Sequence, residues 1–509
     1  MTDIKTPDSK TPDSSSTGLR VLLRDIAGFA GSQYFTRFST LIKGFIVAKV
    51  LGPEGNGAWQ HFMLISDYAM QAHSGVLPGV NKELGHRLGE GDRSRIEATQ
   101  NTGLGSVILT AFLTAAGLAV YALIRGEELH PIDRYGLPLL GLIVFAEQLN
   151  FTYMAILRVH GQIRLISRMT TFFAITNLAV SVALLPFFKV QGLLLAWLAT
   201  RIATTAIMVK KGGLTSRPEL NLPILRRLAQ VGFPIFLFQL TRVALRNIDR
   251  VLVDHVLTKA QLGIYGLAVT IASLVNYVSE AIAFVVYPIY LRAYGETRDA
   301  TALRPHLTRP TEFLSLFLPM VLGFGCLLLH LPILWLLPAY VSAIDVFRLL
   351  SVSVGLSSLA TLPGFYLMAI DRQNALVPIG LGAALFDYFF GRWMIDQGFG
   401  LRGVAGAMAL GTFLHTTCVL SLAGWHSHRS RTGVMQWIAR LYAPAAYFAG
   451  IVLLLRWLLP KTALGGSSET LRSLVAGALF LAVSLPVLAL YEKRTKFLSG
   501  LRHRRSKSA

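Results

Sequence analysis

Charge is what this chain has least of. Only 15% of its 509 residues are Asp, Glu, Lys or Arg, where soluble domains carry about 25%. A soluble protein of this length would need several domains joined by polar linkers, and none occur. Long apolar runs recur instead, so the class is a polytopic, all-α membrane protein. Cysteine is scarcer still. Cys326 and Cys418 both lie inside apolar runs, with neither metal-ligand spacing nor a disulfide framework. A signal peptide is also missing. The first 18 residues are polar and carry a tandem KTPDSKTPDS at 5–14. They hold no apolar h-region or cleavage site, so residues 1–20 are expected to be a disordered tail that is retained.

What charge there is leans one way: the net charge is +21. In a soluble protein this would point to nucleic acid. Here the distribution points to membrane lipid. Fourteen apolar segments of spanning length lie near 24–50, 58–81, 102–124, 136–157, 166–188, 190–209, 231–256, 262–291, 310–335, 342–369, 374–396, 402–424, 435–459 and 470–491. Every second connection is basic, for example Arg158, Arg164 and Arg168, then Lys210, Lys211, Arg217, Arg226 and Arg227. The intervening loops hold only Arg125, Arg134, Lys189, Lys259, Arg402, Lys461 and Arg472. The alternation places both termini in the cytoplasm. The longest outward loops have roughly ten residues, too few for an external domain.

The chain also repeats. LGPEGNGAW (51–59) and LTKAQLGIY (257–265) share Leu, Gly and an aromatic at a shift of 206, and QGLLLAW (191–197) matches RGVAGAM (402–408) at 211. Such a shift covers six segments, an even number, so both copies enter the membrane from the same side. The expected layout is a six-helix bundle at 21–211 and a second at 212–430, flanking a central cavity. Two extra helices at 431–492 and a basic cytoplasmic tail at 493–509 follow.

Each charge at bilayer depth costs about 2.5–3.5 kcal/mol on insertion scales, so those inside the spans carry the functional signal. In helix seven Gln239, Arg242, Arg246 and Asp249 are spaced 3, 4, 3, which is one helical face. At the shift of 206, Gln33, Thr36, Thr40 and Lys43 of helix one have the same spacing, with Arg37 beside them. Both stripes are expected to face one cavity. Asp249 can equally clasp Arg246, and Arg242 can reach the cytoplasmic headgroups. Arg250 and Asp254 fall toward the outer end. Further polar sets are Asp67, Gln71 and Ser74 on helix two, Glu147 beside Gln148 and Asn150 on helix four, and Trp197, Arg201 and Thr205 on helix six. Helix eight offers Asn276 and Glu280, with a kink expected at Pro288, and helix eleven offers Asp387 and Arg392. Cations expected inside the spans are Arg37, Lys43, Arg201, Arg242, Arg246, Arg250 and Arg392, against the carboxylates Asp67, Glu147, Asp249, Glu280 and Asp387. Surplus guanidinium in a low-dielectric cavity suits a diphosphate. The substrate-binding candidates are Arg37, Lys43, Arg201, Arg242, Arg246 and Arg250. Asp67, Glu147, Asp249 and Glu280 are candidates for coupling to protons or Na⁺, with membrane potential as the alternative. No metal or cofactor is expected.

LGPEGNGAW with SGVLPGVNKELGHRLGEGD, and VGFPIFLFQLTRVALRNIDRVLVDHVLTKAQLGIYGLA, resemble helices one, two, seven and eight of bacterial polysaccharide transporters. GQIRLISRM and DRQNALVPI sit where that family has the loops after helices four and ten. In order and spacing the chain after residue 20 resembles the Wzx-type O-antigen and polysaccharide flippases of the multidrug/oligosaccharidyl-lipid/polysaccharide (MOP) superfamily. The resemblance implies two six-helix bundles around a cavity, in the bacterial inner membrane. It implies outward flipping of undecaprenyl-diphosphate-linked oligosaccharide for O-antigen, exopolysaccharide or capsule assembly, alongside a polysaccharide polymerase and a chain-length regulator. Relatives that flip lipid II carry an Arg-Asp pair late in helix one, where this chain has Lys43 and Gly44. A lipid II flippase and a drug–cation antiporter of the same superfamily remain alternatives. A membrane polymerase or ligase would need an external catalytic loop that this sequence has no room for.

Overall fold

The computed structural model describes residues 16–90, 93–214, 217–428, 430–461 and 468–495. Residues 1–15 and 496–509, most of the two expected tails, lie outside them. Helix α1 already begins at Ser16, inside the expected N-terminal tail.

The described residues form α-helices and short 3-10 turns, with no β-strand among them. In hydrocarbon no water satisfies the backbone, and a helix satisfies its own. The helices are α1 (Ser16–Ala69), α2 (Val76–Glu90), α3 (Arg93–Ile124), α4 (Pro131–Val159), α5 (Ile163–Gly212), α6 (Leu222–Val256), α7 (Lys259–Ala272), α8 (Asn276–Thr297), α9 (Arg304–Leu328), α10 (His330–Leu336), α11 (Ala343–Ala369), α12 (Leu376–Asp396), α13 (Gly400–Ser427), α14 (Arg431–Leu458) and α15 (Glu469–Thr495). Side-chain caps fix several starts. Asn221 accepts from the Ile224 N–H at α6, and Thr258 and Gln261 form a reciprocal capping box at α7.

Two helices are hairpins. In a straight α1, Lys43 and Trp59 would lie roughly 24 Å apart, yet the ammonium is 5.1 Å from the indole ring centroid. The reversal falls at Gly52, whose φ of 67° favours glycine, followed by Pro53. In α5 the turn is at Lys189, with a φ of 50°. It brings Asn177 within 3.0 Å of Thr200. Among the described residues, eleven helical stretches are long and apolar enough to cross a membrane by length and composition, with the bent α5 counted once and α1 not among them. α8 continues through Pro288, where a kink is expected, without ending there. The chain breaks earlier, at a 3-10 turn over Ser273–Val275.

α1 packs on α5 and α7, α6 on α2 and α12, and α11 on α8, α9 and α13. Where α1 meets α7, two glycines interlock. A Cβ at Gly57 would fall 1.7 Å from the Lys259 carbonyl oxygen, and one at Gly263 would fall 1.9 Å from that of Pro53. Both glycines and both partners stand at the shift of 206, and such reciprocity is what a two-fold relation requires. At this end Asn56 also donates to the Gly263 carbonyl at 2.8 Å, and Asp254 accepts from His61 (2.6 Å) and Lys259 (2.7 Å). At the other end α2 meets α6, with Glu83 and Arg227 paired at 2.8 Å. Outside the repeat, α14 and α15 pack on α9 through Leu316, Met320, Phe448, Val452 and Phe480.

A side chain at Gly263 has backbone in its way, so Gly263→Val should destabilise the protein by at least about 1–3 kcal/mol, the usual range for overpacking. Thermal unfolding in detergent should show a lowered Tm. Gly450→Ala, where the new Cβ meets nothing within 4 Å, should leave it unchanged.

Candidate functional site

The structure sorts the charges inside the helices into three sets. The first lies between the N-terminal and C-terminal helices. Asp67 on α1 is its centre. It accepts a hydrogen bond from Asn247 at 3.0 Å and has Arg250 at 3.8 Å and Arg246 at 4.0 Å. Arg250 also donates to the Asn247 amide oxygen. Arg242, one turn from Arg246, has no hydrogen-bond or ion-pair partner among the described residues. Its side chain is exposed and sits in the field of both Arg246 and Glu280. Glu280 on α8 pairs with Arg37 on α1 at 2.7 Å. The Arg37 guanidinium lies 3.9 Å from the Tyr277 ring centroid, and Tyr34 donates to the Tyr277 carbonyl at 3.1 Å. Four guanidinium groups thus share two carboxylates along one strip. A cavity of about 550 Å³ nearby is lined by Leu64, Ile65, Tyr68, Ala69 and Val251, and no charged residue lines it. Arg246 keeps 65% of its side chain exposed, so its donors remain available.

The second set is enclosed within the N-terminal helices and saturated. Arg201 Nε and the Trp197 indole both donate to Glu147 Oε1, at 2.7 and 2.6 Å. Arg201 also donates to Asn150 (3.2 Å), which donates to Thr205 (2.9 Å), and its guanidinium lies 3.5 Å from the Phe173 ring centroid. Lys43 donates to Asn177 at 2.8 Å. Lys43 and Arg201, expected beside the diphosphate, are therefore held apart from the arginine strip by partners on α4 and α5. Asn177 and Phe173 completed this set without being singled out in the sequence.

The third set is carboxylic. Asp249 is buried, accepts from the Tyr265 hydroxyl at 2.8 Å, and turns away from Arg246. The alternative clasp between the two does not form. Asp387 on α12 is within electrostatic reach of Asp249. It is 2% exposed, with no hydrogen-bond partner for either carboxyl oxygen among the described residues. The backbone at Gly411 is so close that a Cβ there would fall 1.7 Å from Asp387 Oδ1. Asp387 stood in the sequence as one mid-span carboxylate among several. The sharper signal was its helix face, which it shares with Gly380, Ala384 and Gly391. Small residues there let α6 and α13 close around it.

Other expectations change. The stripe Asp67, Gln71, Ser74 does not continue, because α1 stops at Ala69 and Ser74 turns left-handed at φ 47°. Asn276 and Glu280 serve different partners, Asn276 accepting from Ser358 at 2.5 Å. Arg392 is not buried: half-exposed, it pairs with Asp396 along the α12 surface at 3.0 Å.

Removing one partner of the buried Arg201–Glu147 pair strands a charge, so Glu147→Ala should cost about 3–5 kcal/mol. Replacing both by Met should recover most of it. Denaturant unfolding of the two single variants and the double variant measures the coupling directly.

Residues 99–337 match the family model described as polysaccharide biosynthesis protein. No curated protein sequence matches the chain. Among solved structures, the fold is similar to lipid II flippase MurJ in an inward closed conformation. The TM-score is 0.68 at 12% identity, covering 90% of this chain and 98% of that one. It is also similar to a multidrug resistance MATE family transporter of the MOP superfamily in its inward-facing conformation (TM-score 0.62, 17% identity, 80% and 95% covered). For an outward-facing MATE transporter of that superfamily the TM-score is 0.55 at 17% identity, with 85% and 97% covered.

Proposed function

We propose that this multi-pass membrane protein, a polysaccharide biosynthesis protein over residues 99–337 with the fold of MOP-superfamily transporters, flips undecaprenyl-diphosphate-linked oligosaccharide. The direction is from the cytoplasmic to the periplasmic leaflet of the bacterial inner membrane. The observation that carries the reading is the strip of Arg37, Arg242, Arg246 and Arg250 against only Glu280 and Asp67. Its surplus positive charge, with donors left unpaired on Arg242 and Arg246, suits a diphosphate bound bidentately. The same surplus disfavours a cationic drug. In this reading α1 and α5 each cross twice, giving fourteen crossings with both termini cytoplasmic and an N-terminal and a C-terminal six-helix bundle. The Gly57–Gly263 contact then lies at the periplasmic end and the α2–α6 contact at the cytoplasmic end.

Alternating access moves the two halves about the strip. Diphosphate oxygens compete with Glu280 and Asp67 for the arginines, so loading loosens the bonds that join α1 to α8 and α6. Coupling falls to the third set. Glu147, Glu280 and Asp67 are already committed to arginines, whereas neither Asp387 nor Asp249 has an ion-pair partner among the described residues; Asp249 accepts from the Arg250 backbone N–H at 2.8 Å and from the Tyr265 hydroxyl. Gain and loss of a proton or Na⁺ at that pair would move charge within the C-terminal half. A polymerase and a chain-length regulator would act on the delivered glycan.

The test is transport of fluorescent lipid-linked oligosaccharide in proteoliposomes. Loss of charge-assisted hydrogen bonds worth about 1.5–3 kcal/mol should make Arg246→Ala and Arg242→Ala roughly 10- to 100-fold slower at limiting substrate, with expression intact. Wild-type rates in both would defeat the cavity assignment. In the same vesicles, Asp387→Asn should abolish the response to an imposed pH or Na⁺ gradient. An unaltered response would place coupling elsewhere. Parallel assays with lipid II separate the two flippase readings.

A further inference from the structure

The arginine strip has an uncharged member that no pattern of charges reveals. Asn247 on α6 is fully buried, and its side-chain amide stands between two opposite charges on different helices. Nδ2 donates to Asp67 on α1 at 3.0 Å, and Oδ1 accepts from Arg250, one turn further along α6. The i,i+3 spacing puts the amide and the guanidinium on one face of that helix. The repeat shows that the two occur together. At the shift of 206 the matching positions of helix one are Leu41 and Gly44, so the first copy has neither.

The amide keeps the two charges apart. Arg250 Nη2 lies 3.8 Å from Asp67 Oδ2, beyond hydrogen-bond reach. Guanidinium and carboxylate that meet directly do so at about 2.7–2.9 Å, often through two parallel bonds. In a low-dielectric interior, attraction alone would close this pair. Instead each charge is satisfied by one neutral partner. Arg250 also keeps its Nε buried, with no hydrogen-bond partner among the described residues, so it has donor capacity in reserve. Arg246 stands off the same Asp67 oxygen at 4.0 Å. An anion that takes an arginine from a direct pair must break two charge-assisted bonds. One that takes Arg250 from Asn247 replaces a single bond to an uncharged acceptor, which is weaker.

We propose that Asn247 is a positioning residue for the diphosphate site: it holds Arg250 off Asp67, so that the guanidinium is satisfied but not locked when a phosphate oxygen arrives. Asn247 itself makes no contact with the substrate in this scheme. The inference rests on the reading of the arginine strip given under Proposed function. It adds that the strip is kept ready by an amide between the charges, as well as by an excess of cations.

The test titrates undecaprenyl diphosphate into the full chain in phosphatidylcholine nanodiscs, with bound lipid read by native mass spectrometry. In Asn247→Ala the spacer is gone and Asp67 closes on Arg250, so the apparent Kd should rise about 10-fold, the size of one charge-assisted hydrogen bond. Adding Asp67→Asn removes the closing charge and should return the Kd close to that of Asp67→Asn alone. Asn247→Asp keeps the shape of the side chain and guards against a folding defect. It too should weaken binding, because the new carboxylate takes Arg250 directly, but here Asp67→Asn should restore nothing. An amide that only supports the fold gives the same response to Asp67→Asn in both backgrounds, and that result overturns the inference. So does an unchanged Kd in Asn247→Ala while Arg246→Ala weakens binding, which leaves the diphosphate reading standing. An unchanged Kd in Arg246→Ala as well removes the strip as the site, and the reading under Proposed function falls with it.

Discussion

A charge in hydrocarbon must be paired, hydrated or turned to use, because leaving it bare costs kilocalories. Most of this architecture follows from that one constraint. Arg201 and Glu147 tie α5 to α4, Arg37 and Glu280 tie α1 to α8, and Arg250 and Asp67 tie α6 to α1. Every one of these pairs joins two different helices. The charges that make the spans improbable as lipid-facing helices are the same ones that fix which helices are neighbours.

The pairs differ in what they leave over. Around Glu147 the Arg201 Nε and the Trp197 indole share one carboxyl oxygen, and an aromatic ring covers the guanidinium. Nothing there invites a ligand, and the cluster reads as a rivet within the N-terminal helices. The strip between the two halves is built from the same residue types but holds more guanidinium than carboxylate. Asp387 is the inverse case, a carboxyl with nothing to receive. These two places are the ones on which the proposed function rests.

The helices themselves were legible in the sequence, because apolar length and alternating basic loops depend on nothing beyond the bilayer. The apolar segments lie mostly in helix, with 3-10 turns interrupting those at 58–81 and 262–291, and the shift of 206 reappears as interlocked glycines. Side-chain direction was less legible. The 3, 4, 3 pattern on helix seven took Asp249 as its fourth member. At about 100° per residue, Asp249 falls on one flank of Arg242 and Arg250 on the other. A helix wedged between two neighbours sends its flanks to different partners, so the row that works together is Arg242, Arg246, Arg250, spaced by four. Lys43 shared the stripe of helix one, but its neighbours are set by the fold-back at Gly52 and by α5, and no local pattern reports those.

The interlock of Gly57 with Gly263 has a mechanical side. It is backbone against backbone, with no side chain to give way, and it lies immediately beyond the bend at Gly52. From that bend to Arg37 runs roughly 22 Å of helix. A tilt of about 10° about the interlock would swing the far end by roughly 4 Å, more than the 2.7 Å that joins Arg37 to Glu280. The contact is a fulcrum and α1 its lever arm: small rotations where the backbones touch become the breaking of an ion pair where the substrate would sit.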